Sequence, residues 1–279
     1  MLPVLQFKEL GFLRLEFKSS WLKESQIREW PLISSPFPLM FIISGYLYFV
    51  LYGGPRYMKN RPPYKLKTFI LLYDLIQILV NLWFVKEHIA FGWFSKYNII
   101  CLQLPTPDSS NTYRIWNTLW WLFLLKIFDL VETCIFVLRK KQNQVSNLHV
   151  HHHVSNLIFC WIYFQYFLEE RVTFLSLLNC AVHVIMYTYY LSSAQIGPKY
   201  QSILHFLKPF ITKIQMIQFF VMTAYLLQIL NPACELRLKL SLSLNVITSV
   251  FIGNLLLYLY LFYDFHKNNY TNTPKGKNN

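Results

Sequence analysis

Long apolar stretches recur from one end of the chain to the other, separated by short polar connections. FPLMFIISGYLYFVLY near the start and LSLSLNVITSVFIGNLLLYLYLFY near the end are typical. Each approaches the roughly 20 residues that cross a hydrocarbon core as a helix. The pattern predicts seven spans, at 33–52, 67–85, 115–138, 147–167, 172–193, 206–230 and 240–264. The expected fold class is all-α, a polytopic membrane protein with seven transmembrane helices. No repeat or linker divides it, so residues 1–279 read as one domain ending in a cytosolic tail, 265–279. No basic stretch precedes an apolar core at the N-terminus, so no cleaved signal peptide is expected.

Composition agrees. The 279 residues are 54% hydrophobic and 14% charged, with mean hydropathy +0.32; soluble domains carry roughly 25% charged residues. The net charge of +13 reports topology here rather than nucleic acid. Arg56, Lys59, Arg61, Lys65 and Lys67 follow the first span, Arg139, Lys140 and Lys141 the third, and Lys199 and Lys208 the fifth. With the lysines of the tail, they place the odd connections and the C-terminus in the cytosol and the N-terminus in the lumen. Lys8, Arg14, Lys18, Lys23 and Arg28 oppose that assignment, but three loops and the tail outvote them. In the terminal KGKNN, Lys275 and Lys277 form a dilysine signal for retrieval to the endoplasmic reticulum. Cys134, Cys160 and Cys180 lie within spans, whereas Cys101 and Cys234 fall in lumenal connections and are expected to pair.

Polar side chains inside spans are costly and mark function. The third span holds KIFDLVET, with Lys126 and Asp129 spaced to neutralise each other and Glu132 and Thr133 beyond. The fourth opens NLHVHHHVSN, where His149, His152 and His153 share a face and His151 points away. The fifth carries a stripe of Asn179, His183, Met186, Tyr187 and Tyr190, and the sixth a row of Thr212, Gln215 and Gln218. Under the charge-derived topology all four sets lie in the cytosolic half, and Trp, Phe, Leu and Ile fill the lumenal halves. A polar chamber above an apolar one suits a ligand with a polar head and a long aliphatic tail.

Eight histidines in one cluster and scattered singles do not supply a di-iron centre. One zinc on His149, His152, His153 and His183 is geometrically conceivable, but no metal is expected. Without metal, imidazole serves as a general base or a nucleophile, and an acyl-imidazole needs a chamber that excludes water.

Four motifs in order, WPLISSPFP, LHVHHH, NCAVHVIMYTYY and TKIQMIQ, together with GPRYMKNRPPY and the lysine-rich tail, resemble the ELO family of fatty acid elongases, the very-long-chain 3-oxoacyl-CoA synthases, over nearly the whole chain. The family pattern KxxExxDT appears as KIFDLVET, and His151 stands at a usually aromatic position; both departures bear on substrate preference more than on activity. The resemblance implies six helices forming a barrel around a substrate tunnel open to the cytosol, with the first span packed outside. It implies decarboxylative condensation of a long-chain acyl-CoA with malonyl-CoA, both substrates, and no cofactor. The catalytic candidates are His152 as nucleophile with His149, His153, His183 and Asn179. The substrate-contacting candidates are Lys126, Asp129, Glu132, Tyr187, Tyr190, Thr212, Gln215 and Gln218. Lys208, Arg139, Lys140 and Lys141 are candidates for the CoA phosphates. Expected partners are the lipid bilayer and the ketoreductase, dehydratase and enoyl reductase of the same cycle; a nucleic acid is not expected, and oligomeric state, a homodimer included, stays open. The alternative is a seven-span receptor or transporter without catalytic activity, against which the clustered histidines and the absence of inverted repeats count. Peptide mapping of purified protein should find Cys101 and Cys234 joined; two free thiols there would reject the pairing.

Overall fold

The computed structural model describes residues 30–95, 97, 99–100, 109–166, 172–195, 201–228 and 242–271. Cys101, Cys234, Lys275 and Lys277 lie outside the described residues. Regular structure among the described residues is helical: α1 (Pro36–Tyr48), α2 (Lys67–Ala90), α3 (Ser109–Leu138), α4 (Asn147–Tyr166), α5 (Val172–Gln195), α6 (Gln201–Leu227) and α7 (Leu242–His266). All seven coincide with expected spans. Five segments are long and apolar enough to cross a membrane: Pro36–Met58, Lys67–Ala90, Thr173–Gln195, Ser202–Leu227 and Val246–Thr271. The helices α3 and α4 fall outside that set; they are the two that carry Lys126, Asp129 and Glu132, and the four clustered histidines. The chain is therefore a multi-pass membrane protein, with five candidate spans among its seven long helices.

The core is largely apolar but holds many polar groups, and the outside carries large apolar side chains. Asp74, Gln77, Asn81, His88, Lys126, Asp129 and Glu132 are buried, while Phe41, Leu72, Leu79, Ile217, Phe220 and Val250 are exposed. Such a surface suits lipid, and such an interior must satisfy each polar group with another.

Local chemistry sets the helix limits that matter for the interior. Ser35 caps α1 by accepting the Phe37 N–H at 3.3 Å, and Pro36 occupies the first turn, where its missing N–H costs nothing. The helix continues through a π turn, Phe49–Gly53, into Gly54–Met58. Pro55 cannot donate one turn back, and ahead of it the Gly54 N–H reaches the Phe49 carbonyl. The helix α3 ends with Lys140 in the left-handed region (φ 56°), and the Lys141 N–H returns to the Phe136 carbonyl at 2.9 Å. This is a Schellman closure with lysine where glycine is usual. After one 3-10 turn, Ser146 caps α4 by accepting the His149 N–H at 3.2 Å. That cap fixes the rotation of the histidine row that follows.

Packing proceeds around the bundle: α2 on α5, α5 on α6, α6 on α7, α7 on α4, α4 on α3, and α3 back on α2. The end of the first span lies against α3 at Gly54. A Cβ there would sit 2.7 Å from Val137 Cγ1 and 2.7 Å from the Phe49 carbonyl oxygen, a backbone atom that cannot swing aside. Gly54→Ala should therefore cost on the order of 1–3 kcal/mol and lower the thermal unfolding temperature in detergent; an unchanged Tm would show that this contact yields freely.

Candidate active site

Consecutive residues of an α-helix are about 100° apart in rotation, and this separates the histidines of α4. His149 and His153 turn toward α3 and stack edge to face, with ring centroids 4.3 Å apart. His149 Nε2 lies 3.0 Å from Thr133 Oγ1, which also accepts the Tyr46 hydroxyl at 2.9 Å. His153 Nε2 stands 4.0 Å from Glu132 Oε2, too far for a hydrogen bond. His152 stands at the opposite edge of the same arc, its ring 4.8 Å from Tyr258, 5.8 Å from Phe219 and 5.8 Å from His153. The expected common face thus divides: His152 lines the apolar chamber, and His149 and His153 do not. His151 is not idle, because its Nε2 is 3.2 Å from Asn254 Oδ1 on α7.

That chamber, about 80 Å³, is walled by Leu119, Leu122, Phe159, Tyr163, Phe164, Leu175, Phe219, Met222, Phe251 and Leu255. On α4 it runs from His152 to Phe164, about 18 Å of helix. Polar groups at its wall are His152, Lys126, Asn179, Asn156, Ser176 and Tyr258. The ring of His152 lines the chamber and buries Nδ1 without a partner.

Lys126 behaves as its spacing predicted, with Nζ 3.1 Å from Asp129 Oδ2, and it also donates to Asn179 Oδ1 at 2.8 Å. The second Asp129 oxygen accepts Gln77 Nε2 at 2.8 Å. Gln77 Nε2 also donates to the Tyr73 hydroxyl at 2.9 Å, and Gln77 Oε1 accepts from Asn81 at 3.1 Å. Of the α5 stripe, Tyr187 donates to Glu132 Oε2 at 3.3 Å, and His183 is buried with Nδ1 unpartnered and its ring 5.7 Å from Tyr187.

A second cavity, about 410 Å³, is lined by Lys67, Tyr73, Asp74, Glu132, Arg139, Gln144, Tyr190 and Ser193. Among the described residues, the polar groups are divided between these two spaces. Lys126 and Asn179 border the first and Tyr73, Glu132 and Tyr190 the second, joined through Asp129 and Gln77.

Other expected contacts differ. Gln215 and Gln218 donate to the sulfurs of Met186 and Met222, each at 3.5 Å, and not to the histidines. Thr212 returns to the Lys208 carbonyl of its own helix. Among the basic candidates only Arg139 lines a cavity; Lys140 donates to the Lys59 carbonyl at 3.3 Å, and Lys141 and Lys208 are exposed. The far end of the bundle is less apolar than expected. There Arg114 pairs with Glu87 at 2.6 Å, and Trp93 donates to Thr173 at 2.7 Å. His88 meets the Phe84 carbonyl and the chamber-lining Ser176.

The sequence reading passed over α2, which supplies Tyr73, Asp74, Gln77 and Asn81, and Lys67 just at its start. Its signal was the same polar stripe used on the other helices, with Asp74, Gln77 and Asn81 at i, i+3 and i+7. For a metal, Glu132, His149 and His153 offer ligand atoms within 4.8 Å of one another. Two of the three also make hydrogen bonds, His149 with Thr133 and Glu132 with Tyr187.

Comparison with known proteins identifies the family. The family profile "ELO: GNS1/SUR4 family" matches residues 31–278. Very long chain fatty acid elongase 7 of Rattus norvegicus is 33% identical over 259 residues, covering 92% of this chain and 91% of the relative. Very long chain fatty acid elongase 4 of Mus musculus is 32% identical, covering 93% and 80%. Very long chain fatty acid elongase 1 of the same species is 36% identical, covering 76% of each. A match over nearly all of the chain shows that it belongs to the ELO family.

Proposed function

We propose that this chain acts in fatty acid elongation as a very-long-chain 3-oxoacyl-CoA synthase, condensing a long-chain acyl-CoA with malonyl-CoA and releasing CoA and CO2. The observation that carries the reading is His152 with Asn179 at the wall of an otherwise apolar chamber, next to a polar cavity bordered by Lys67 and Arg139. The six helices that neighbour one another in a closed order form the barrel, with α1 outside it and the polar cavity toward the cytosol. The protein resides in the endoplasmic reticulum membrane, N-terminus lumenal and C-terminus cytosolic, alongside the reducing and dehydrating enzymes of the cycle.

The acyl chain occupies the apolar chamber. His152 Nε2 attacks the thioester carbonyl, the C–S bond breaks, CoA leaves as a thiolate, and the ring N–H proton passes to that thiolate, giving a neutral acyl-imidazole and CoA. Malonyl-CoA then occupies the polar cavity, where Lys67 and Arg139 meet its anionic groups. Loss of CO2 leaves a carbanion that attacks the acyl carbon and expels His152. Asn179, aided by His183 from the next turn of α5, stabilises the oxyanion formed in each step. His149 and His153, held against Thr133 and Glu132, keep α4 seated on α3.

His152→Ala should lower condensation by at least about 100-fold, and acyl-CoA alone should leave one acyl group on the His152 peptide of the unaltered protein. Near-normal condensation in the variant, or CoA release without an adduct, would sink the nucleophile assignment. The double variant Lys67→Ala/Arg139→Ala should raise KM for malonyl-CoA roughly tenfold or more, the loss of two charge-assisted contacts, whereas Lys208→Ala should leave it unchanged. The opposite pattern would move the CoA site to α6.

A further inference from the structure

A side-chain carboxamide has nearly the same shape in its two flips, yet only one flip presents N–H to a developing oxyanion. Something must select it at Asn179, and the neighbouring residues do so. Lys126 is 4% exposed and its ammonium, a donor only, lies 2.8 Å from Asn179 Oδ1. With the oxygen committed to Lys126, the Nδ2 hydrogens are the part of the amide that remains to serve a group bound in the chamber that Lys126, Asn179 and His152 all line. Lys126 is held in turn by Asp129, an acceptor only, at 3.1 Å, and Asp129 by Gln77 at 2.8 Å. Gln77 takes the Asn81 amide at 3.1 Å. Each link runs in one direction, because an ammonium cannot accept and a carboxylate cannot donate.

We propose that Lys126 is a positioning residue, which with Asp129 locks the Asn179 carboxamide in the flip that donates Nδ2–H to the oxyanion formed at His152. This rests on the reading of His152 and Asn179 above. Without the pair the amide turns freely and spends much of its time presenting Oδ1, which repels the developing charge. Lys126 itself does not touch the reacting atoms, although it borders the chamber.

The test is a mutant cycle read as single-turnover CoA release from acyl-CoA with no malonyl-CoA present. Asn179→Ala should slow release about 100-fold, the loss of one oxyanion donor. Lys126→Met/Asp129→Asn, which removes both charges and leaves neither partner uncompensated, should slow it about 10-fold or more by freeing the flip. The two changes share one pathway, so the triple variant should be no slower than Asn179→Ala. Lys126→Gln/Asp129→Asn, which restores an amide donor opposite Asn179, should return to within about 3-fold of the unaltered protein. Failure to fold cannot mimic this result, because a misfolded charge-free pair would also slow the triple variant. Overturning outcomes are a charge-free pair that releases CoA at the normal rate, a triple variant slower than Asn179→Ala by the full factor, and a glutamine pair as slow as the methionine pair. If Asn179→Ala alone releases CoA normally, the oxyanion role of Asn179 in the proposed function fails instead.

Discussion

An ammonium and a carboxylate buried 3.1 Å apart on α3 are the constraint to which the interior answers. Removing two charges from water is offset by their attraction only if their remaining hydrogen-bonding capacity is also met. Asp129 needs a second donor and finds Gln77 on α2; Lys126 needs a second acceptor and finds Asn179 on α5. Satisfying one ion pair therefore brings three helices together, and α2 and α5 are in turn packed along each other. Apolar packing cannot impose that registry in lipid, where the surroundings are as apolar as the side chains. Polar groups fix which helices meet and at what rotation.

The same requirement explains how far the sequence could be read. Seven apolar runs were visible because span length follows from bilayer thickness, and the Lys126–Asp129 pair was visible because both partners sit on one helix. Contacts between helices were harder. His149, His152 and His153 do lie within a narrow arc, but α3 takes His149 and His153 while Tyr258 and Phe219 receive His152. Spacing on one helix cannot say which neighbour each edge of the arc meets. Gln215 and Gln218 illustrate the same gap, since their spacing does not say that methionine sulfurs, weak acceptors, stand opposite them. The polar stripe of α2 was legible by the rule applied elsewhere, yet it is interrupted by LI and ILV and carries no histidine to draw attention.

The division between two cavities changes how the proposed chemistry must be arranged. An acyl-imidazole is hydrolysed if water reaches it, while malonyl-CoA carries charges that demand water or cations. A single chamber has to compromise between these needs. Here His152 opens onto aliphatic and aromatic walls, and Lys67, Arg139 and Asp74 border a separate space. Between them stands a layer of Tyr73, Tyr187, Glu132, Gln77 and Asp129, tied by the hydrogen bonds Tyr187 to Glu132 and Gln77 to Tyr73 and Asp129. In the proposed reaction the nucleophilic carbon crosses that layer while bulk water does not. His153 and Glu132, 4.0 Å apart and not bonded to each other, are its least committed pair. Decarboxylation on the polar side of that layer would keep the charged substrate in its own space while the acyl-imidazole stays among apolar walls, so the same division that admits malonyl-CoA protects the intermediate.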